Sequence, residues 1–167
     1  MLAPNAYTVE RSALRVLNAG RDIGDLTKLS PRPFLLATVF CWGNASILAG
    51  EGATSKTSVR IVQYLALATE RKLTGEHVFK RSRVLFLSFE DDEREMKRRI
   101  GAAIKHYALK DEELDGWLYF VALSRQDGKV AVLDAEKQIV PGELANNLAH
   151  LIIDLRSIRK IPRGRGE

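Results

Sequence analysis

The sequence contains one cysteine, Cys41, so no internal disulfide can form. Chains without disulfides are typical of reducing compartments, and we expect a cytoplasmic protein. No apolar run reaches the ~18–20 residues of a membrane-spanning helix, so no membrane partner is expected. The first residues also lack the basic-then-apolar pattern of a signal peptide. These absences favour a soluble globular protein over a secreted or membrane protein.

Histidine is scarce as well. His77, His106 and His150 are the three histidines, and none has metal-ligand spacing to cysteine or acidic residues. Hydrophobic residues make up 46% and charged residues 28% of the 167 residues, which suits one domain with a sizeable core. The net charge of +5 is compatible with nucleic-acid binding. Much of the excess lies in residues 94–99 and 156–165, and such runs are more often a solvated helix face or a tail.

The order of apolar patterns predicts alternating strands and helices. The predicted strands are residues 34–40, 46–49, 83–89, 117–122 and 130–133. Apolar residues at helical spacing predict helices within residues 59–69, 96–107 and 141–155. The unbroken apolar character of residues 83–89 suggests a parallel-sheet strand buried on both faces. We therefore expect an α/β fold with a parallel sheet, flanking helices and right-handed crossovers.

Three segments are expected along the chain. Residues 1–28 are polar and interrupted by glycine, and they are predicted to form an N-terminal arm that ends before the stiff pair Pro31 and Pro33. Residues 29–160 are predicted to form the domain. Residues 161–167 contain proline and glycine without an apolar run, so they are predicted to be a basic disordered tail.

Residues 50–57 read GEGATSKT, which matches the phosphate-binding loop G-x-x-x-x-G-K-[ST] at every position but one. In such a loop successive backbone N–H groups point at phosphate oxygens, and the following helix adds its positive N-terminal end. Lys56 is expected to contact the β- and γ-phosphates of ATP, and the Thr57 hydroxyl to hold Mg²⁺. The residues expected to bind the nucleotide are Gly50, Glu51, Gly52, Ala53, Thr54, Ser55, Lys56, Thr57 and Ser58.

Ser55 stands where the pattern has its second glycine. A side chain there crowds a backbone that must approach the phosphate closely, although serine is small and can cap the helix start. One alternative is an ordinary strand–turn–helix with a chance Lys-Thr pair. Another is a dinucleotide-binding fold, because residues 50–55 nearly match G-x-G-x-x-G/A. That fold needs an acid about 20 residues on, whereas Glu90 follows Gly50 by ~40 residues.

A second candidate group lies at the end of the clearest strand. Glu90 closes the strand of residues 83–89 and is expected at the carboxyl edge of the sheet, where ligands of open α/β sheets bind. A carboxylate there can orient and deprotonate the water that attacks the γ-phosphate, which makes Glu90 the candidate catalytic base. The alternative for Glu90 is helix capping, the role that we expect for Asp91 and Asp92.

With these pieces placed, the chain resembles the RepA-like AAA-type ATPases of plasmids, phages and mobile elements. The resemblance runs from about residue 29 to residue 155 and is carried by five blocks, which are residues 29–36, 50–57, 66–76, 83–99 and 114–118. It implies a RecA-like P-loop NTPase core, ATP and Mg²⁺ binding, and ring-shaped homo-oligomers, often hexamers. The best-known member of the family is a replicative DNA helicase. Carried over to this sequence, Lys56 and Thr57 become the nucleotide and metal contacts, and Glu90 becomes the base.

The family pattern continues beyond the last predicted helix into a strand that ends in a Mg²⁺-binding aspartate, followed by arginine-finger and DNA-contacting elements. Asp154 lies within a helical pattern and does not replace that aspartate. We therefore expect an α/β core that is incomplete at its C-terminus, as in a truncated or frame-shifted member. Mg²⁺-dependent ATP hydrolysis is then expected only in a complete parent chain. The alternatives are a non-catalytic DNA-binding module that uses the basic residues 94–105, or a degenerate fragment of the same fold.

Overall fold

A computed structural model describes residues 16–51 and 55–157, apart from the side chains of Arg125 and Ser157. The predicted tail, residues 161–167, and residues 1–15 of the predicted arm lie outside the described residues. The contacts divide the chain after Arg32 into two units. In the first unit, helix α1 (Ala19–Asp22) is capped by the side chain of Asn18, and one turn of 3-10 helix follows at Leu26–Lys28. The domain boundary predicted after residue 28 stays a prediction.

The second unit alternates short strands with helices. In chain order its elements are β1 (Phe34–Leu36), β2 (Phe40–Cys41), α2 (Lys56–Thr69), β3 (Val84–Ser88), α3 (Glu93–His106), α4 (Asp111–Leu114), β4 (Leu118–Ala122), β5 (Ala131–Leu133), β6 (Ile139–Pro141) and α5 (Glu143–Ser157). This is an α/β arrangement, as the apolar patterns predict. None of the helices in the described ranges is long and apolar enough to span a bilayer.

The parallel pair β3–β4 is the centre of this unit. The two strands pair in register from Val84 with Leu118 to Ser88 with Ala122. Val84 and Ser88 of β3 are buried, but the residues between them and all of β4 are half-buried, so the predicted burial on both faces is only partly found. The strands predicted at residues 83–89 and 117–122 are confirmed, with ends shifted by one residue.

Helices α2 and α3 cover one face of this strand pair. Leu65 of α2 and Met96 of α3 are fully buried, and Ile61 and Ile100 lie beside them at one helical turn. Residues three or four apart share a helix face, so each helix presents a narrow apolar stripe to the strands. Phe86 of β3 is among the side chains that pack against this cluster.

Several predictions about strands are wrong. The predicted strand of residues 34–40 is an antiparallel hairpin, β1–β2, with Ala37 in the left-handed region at φ 42°. The strand predicted at residues 46–49 does not form, and Ile47 is 91% exposed. A strand persists only where a neighbour satisfies its backbone hydrogen bonds. In the described ranges the parallel sheet has two strands, β3 and β4, so the sheet is smaller than predicted.

The chain ends its described part in a hairpin and a helix. The predicted strand at residues 130–133 forms β5, which pairs antiparallel with the unpredicted β6. Pro141 was predicted to lie in the first turn of the last helix. It instead belongs to β6, and α5 begins at Glu143. Gly142 joins them at a close approach, because a Cβ there would lie 2.1 Å from the Lys129 carbonyl oxygen.

Candidate functional site

The phosphate-loop sequence lies directly before α2, with Lys56 as the first residue of the helix. Gly50, Glu51, Ser55, Thr57 and Ser58 are described together with Lys56, whereas the predicted contacts Gly52, Ala53 and Thr54 lie outside the described residues. The segment of residues 44–50 before the loop has no regular secondary structure. The loop-then-helix part of the motif is thus present, and the strand that should precede it is absent from the described chain.

The Lys56 side chain folds back over the loop. Its Nζ donates hydrogen bonds to the Gly50 carbonyl oxygen at 2.9 Å and to the Glu51 carbonyl oxygen. Gly50 and Glu51 precede Lys56 by six and five residues, so these hydrogen bonds place the ammonium group beside the start of the motif, close to the N-terminus of α2.

Ser55 occupies the helix N-cap position in a left-handed conformation, with φ 57° and ψ 20°. The prediction that its side chain can cap the helix is wrong, because no side-chain cap hydrogen bond forms. A capping serine needs an extended backbone, which aims its hydroxyl at the N–H groups of the first turn. The left-handed conformation also explains why the pattern has glycine here, since glycine adopts it without steric cost.

Helix geometry leaves the first-turn N–H groups of α2 without intrahelical acceptors. These groups include those of Thr57 and Ser58, and the serine at the N-cap does not accept from them. Together with the helix dipole they provide a positive potential at this end of α2. The arrangement is suited to an anion such as a phosphate group.

Glu90 lies in a bend directly after β3 and is exposed to solvent. The bend is held by the Ser88 hydroxyl, whose Oγ accepts from the N–H of Glu90 at 3.3 Å and of Asp91 at 3.1 Å. Ser88 is itself buried at the end of the strand. This hydroxyl therefore fixes the backbone from which the Glu90 carboxylate projects into solvent.

The start of α2 lies beside the end of β3. The rings of Tyr64 and Phe86 are 5.3 Å apart, and further back the Ser82 N–H donates to the Leu67 carbonyl oxygen, so the helix and the strand run in opposite directions. From Phe86 to Ser88, the last residue of β3, the chain advances about 7 Å at strand spacing, and Glu90 follows in the bend. From Tyr64 back to Lys56 the helix covers about 12 Å. The two candidate groups are thus brought to one edge of the β3–β4 pair.

The two aspartates after Glu90 have different roles. The Asp92 carboxylate caps α3 by accepting from the Glu95 N–H at 2.7 Å, as predicted. Asp91 was predicted to cap as well, but it instead forms an ion pair with Arg99 at 3.4 Å, with its side chain only 11% exposed. The hydrogen bond that Arg99 donates lowers the pKa of the Glu95 carboxyl. Arg99 therefore ties the first turns of α3 to the loop that carries Glu90.

A turn that the sequence analysis missed lies at the same edge. The Leu123 N–H donates to the Ser88 carbonyl oxygen at 2.7 Å, which places the segment after β4 beside the segment after β3. There the Asp127 carboxylate accepts from the Ser124 hydroxyl at 2.9 Å, and hydrogen bonds from the Ser124 N–H and hydroxyl lower the pKa of Asp127. The spacing S-x-x-D is a helix-capping signal that could have identified this turn.

The predicted metal ligand, Thr57, lies in the first turn of α2 and is half-buried. In the described ranges no three histidine, cysteine or acidic side chains come together as a metal-binding group. Mg²⁺ in nucleotide sites takes much of its coordination from phosphate oxygens and water, with only one or two protein ligands. A single hydroxyl beside a phosphate-binding helix end therefore fits this ion as far as the described residues extend.

The basic face of α3, the basis of the DNA-binding alternative, is partly neutralised. Lys97 pairs with Glu93, and Arg98 and Arg99 both pair with Glu95. Such pairs at one helical turn are typical of a solvated helix face. The geometry therefore favours a solvated helix face over a DNA-binding surface for this charge run.

Comparison with known proteins identifies the family. A family model described as AAA domain matches residues 10–158, a span that includes both the phosphate-loop sequence and Glu90. No curated protein and no solved structure matches the chain. AAA domains have the P-loop NTPase fold, and Lys56 at the start of α2, with its ammonium on the carbonyl oxygens of Gly50 and Glu51, agrees with that fold. The chain belongs to the AAA domain family of P-loop ATPase-like proteins.

Proposed function

We propose that this chain binds ATP with Mg²⁺ at the start of α2, as the nucleotide-binding domain of a RepA-like replicative helicase or ATPase. The observation that supports this most is the Lys56 ammonium folded over the carbonyl oxygens of Gly50 and Glu51. On binding, the β- and γ-phosphates replace these carbonyls as partners of the ammonium, while the backbone N–H groups of residues 50–58 surround the phosphate oxygens.

Thr57 is the proposed magnesium ligand. Bound there, Mg²⁺ neutralises charge on the β- and γ-phosphates. The Thr57 hydroxyl projects from the first turn of α2, next to the lysine that contacts the same phosphates. This shared position lets one helix end hold both the nucleotide and its ion.

Titration with a fluorescent ATP analogue tests the proposal. We expect Mg²⁺-dependent binding that ATP and ADP reverse and that AMP reverses much less, because Lys56 and the loop contact the β- and γ-phosphates and not the nucleoside. A folded chain that does not bind at millimolar nucleotide would support the degenerate-fragment alternative. Equal competition by AMP would contradict a phosphate-loop site.

Restoring the missing glycine is expected to strengthen this site. Ser55→Gly should raise the free energy of unfolding by about 1 kcal/mol, because a left-handed residue with a Cβ is strained by roughly that amount. It should also raise ATP affinity, since the Cβ and hydroxyl no longer crowd the loop. Urea unfolding and nucleotide titration measure the two effects.

Glu70 offers a matched control at the other end of the same helix. It follows Thr69 in the same left-handed conformation, at φ 62°. Glu70→Gly should therefore stabilise the fold to a similar extent while leaving ATP affinity unchanged. If both variants change ATP affinity equally, the effect of Ser55→Gly comes from helix stability and not from the loop.

Glu90 is the proposed catalytic base. Glu90→Gln keeps the size of the side chain and removes its basicity, so in a complete parent chain, where hydrolysis is expected, ATP should still bind while single-turnover hydrolysis falls by about 10²-fold or more. Glu93→Gln, an exposed carboxylate on the first turn of α3, is the control and should hydrolyse at the parental rate. Hydrolysis by Glu90→Gln at the parental rate would refute the assignment.

We further propose that the complete functional unit is a ring-shaped homo-oligomer, often a hexamer, that acts on DNA. The support is the resemblance of residues 29–155 to the RepA-like ATPases. A non-catalytic DNA-binding module on α3 makes the opposite prediction, namely salt-dependent DNA binding that ignores ATP and survives Lys56→Ala. The ion pairs along α3 argue against that alternative.

A further inference from the structure

A cleft of about 420 Å³ opens at the amino-terminal end of β3, the edge opposite Glu90. Its floor is formed by Leu85 and Tyr119, which are paired across β3 and β4 and so lie on one face of the sheet. This is the face away from α2 and α3, because the alternate residues Phe86 and Leu118 pack against those helices. Ile152 and Leu155 of α5 form the wall.

The rim of the cleft is positively charged. Lys80, Arg83 and Arg156 line it, and no acidic residue is among the described side chains that do. Arg83 donates to the Leu155 carbonyl oxygen at 2.9 Å, which joins the strand end to the last turn of α5. Lys80 and Arg156 are exposed and form no ion pair with any described residue. Lys80 and Arg156 thus contrast with the α3 cations Lys97, Arg98 and Arg99, which are paired with carboxylates.

A fourth cation that lines the cleft, Arg81, is held by contacts within the fold. The Arg81 guanidinium lies 4.0 Å from the centre of the Trp117 ring and donates to the carbonyl oxygens of Ala68 and Glu113. It fixes the loop that carries Lys80 and Arg83. The rim cations therefore project from a backbone held in place.

An exposed tryptophan completes the rim. Trp42 follows β2 and is 66% exposed, an unusual state for so large an apolar ring. Its backbone is held on both sides, because its N–H donates to the Pro33 carbonyl oxygen at 3.0 Å and its carbonyl accepts from the Asn44 amide at 3.2 Å. The ring is thus presented to solvent from a fixed position beside the cations.

We propose that this cleft binds a segment of single-stranded nucleic acid, with a base stacked on Trp42 and phosphates bound by Lys80, Arg83 and Arg156. Cations that follow the backbone combined with an exposed aromatic ring are the general means of binding single strands. A duplex keeps its bases stacked inside, so it cannot use the ring. This site goes beyond the proposed ATP site, since it uses the opposite edge of β3 and none of the same residues.

Binding of a fluorescein-labelled oligothymidylate of about 12 nucleotides tests the proposal. Trp42→Ala should weaken binding about tenfold, as expected for the loss of one stacked base. The double variant Lys80→Glu/Arg156→Glu should weaken it tenfold or more and reduce the slope of log K against log salt by about 1.4. Lys56→Ala should bind the oligonucleotide normally, which separates this site from the nucleotide site. Circular dichroism verifies that each variant is folded.

The control Arg94→Glu/Lys105→Glu makes the same charge change on α3. Retained binding by this variant supports the cleft, whereas a loss equal to that of Lys80→Glu/Arg156→Glu overturns it in favour of α3 or of charge alone. Equal affinity for thymidine monophosphate would overturn a single-strand site in favour of a mononucleotide pocket. Unchanged binding by Trp42→Ala and by the cleft double variant would also overturn the proposal.

Discussion

Lys56→Ala is expected to lower ATP affinity by about 100-fold while leaving the fold intact. Hydrogen bonds to a charged group contribute about 1.5–3 kcal/mol each, and every 1.4 kcal/mol is tenfold in affinity. Without nucleotide the hydrogen-bond partners of the Lys56 ammonium include the carbonyl oxygens of Gly50 and Glu51. Alanine is the best helix former, so the start of α2 tolerates it. Titration with the fluorescent ATP analogue and urea unfolding measure the two quantities.

Lys72→Ala is the matched control for this prediction. Lys72 is an exposed lysine just beyond the other end of α2, and its removal changes the net charge by the same amount. It should leave ATP affinity unchanged. If Lys72→Ala weakens ATP binding as much as Lys56→Ala does, the effect is one of overall charge and the phosphate-loop assignment fails.

The parts of the fold that could be predicted from the sequence are those fixed by unbroken local patterns. Residues 83–89 and 117–122 are apolar runs bounded by polar residues, and they form β3 and β4. The stripe that includes Met96 and Ile100 has helical spacing, and both residues are buried in α3. In each case the side-chain period alone decides which face is buried, so no knowledge of distant contacts is needed.

The errors occur where the outcome depends on geometry that residue type does not fix. Residues 46–49 have a strand-like composition, yet no described strand pairs with them, so they remain irregular. Asp91 is a residue type that often caps helices, but it forms an ion pair with Arg99, eight residues further on in the second turn of α3. Ser55 looks like a cap by residue type, and only its left-handed backbone prevents that role. In all three cases the structure overrides the preference of the residue type.

The candidate site shows the same division. The motif at residues 50–57 predicts which side chain reaches the phosphates, and the Lys56 hydrogen bonds to Gly50 and Glu51 place its ammonium beside the start of that motif. The approach of Glu90 to that motif depends instead on the packing of α2 against β3, which is seen in the contact between the rings of Tyr64 and Phe86. Sequence spacing gives no measure of that approach. For this reason the sequence predicts Glu90 at the carboxyl edge of the sheet, but not the packing of α2 on β3 that brings the start of α2 to that edge.

Leu65→Ala is expected to destabilise the protein by about 3 kcal/mol, a cost typical of a large cavity in a packed core. Leu65 is fully buried in α2 and packs with Ile61, Met96 and Ile100 at the junction of α2 and α3. Val59→Ala is the control, because Val59 lies on the same helix but is 45% exposed. It should change the free energy of unfolding by no more than about 0.5 kcal/mol. Equal effects from the two variants would contradict the burial of this helix face.

ATP binding is expected to change the stability of this core. A ligand present at about 100 times its dissociation constant stabilises the folded state by about 2.7 kcal/mol. Saturating ATP should therefore offset most of the loss in Leu65→Ala, since the variant keeps Lys56 and the loop. At the same concentration it should add only about 0.4 kcal/mol to Lys56→Ala, because a 100-fold loss of affinity brings the dissociation constant up to the ATP concentration. Thermal unfolding with and without ATP measures both. Stabilisation of Lys56→Ala by ATP equal to that of the parent would mean that the nucleotide binds away from the start of α2.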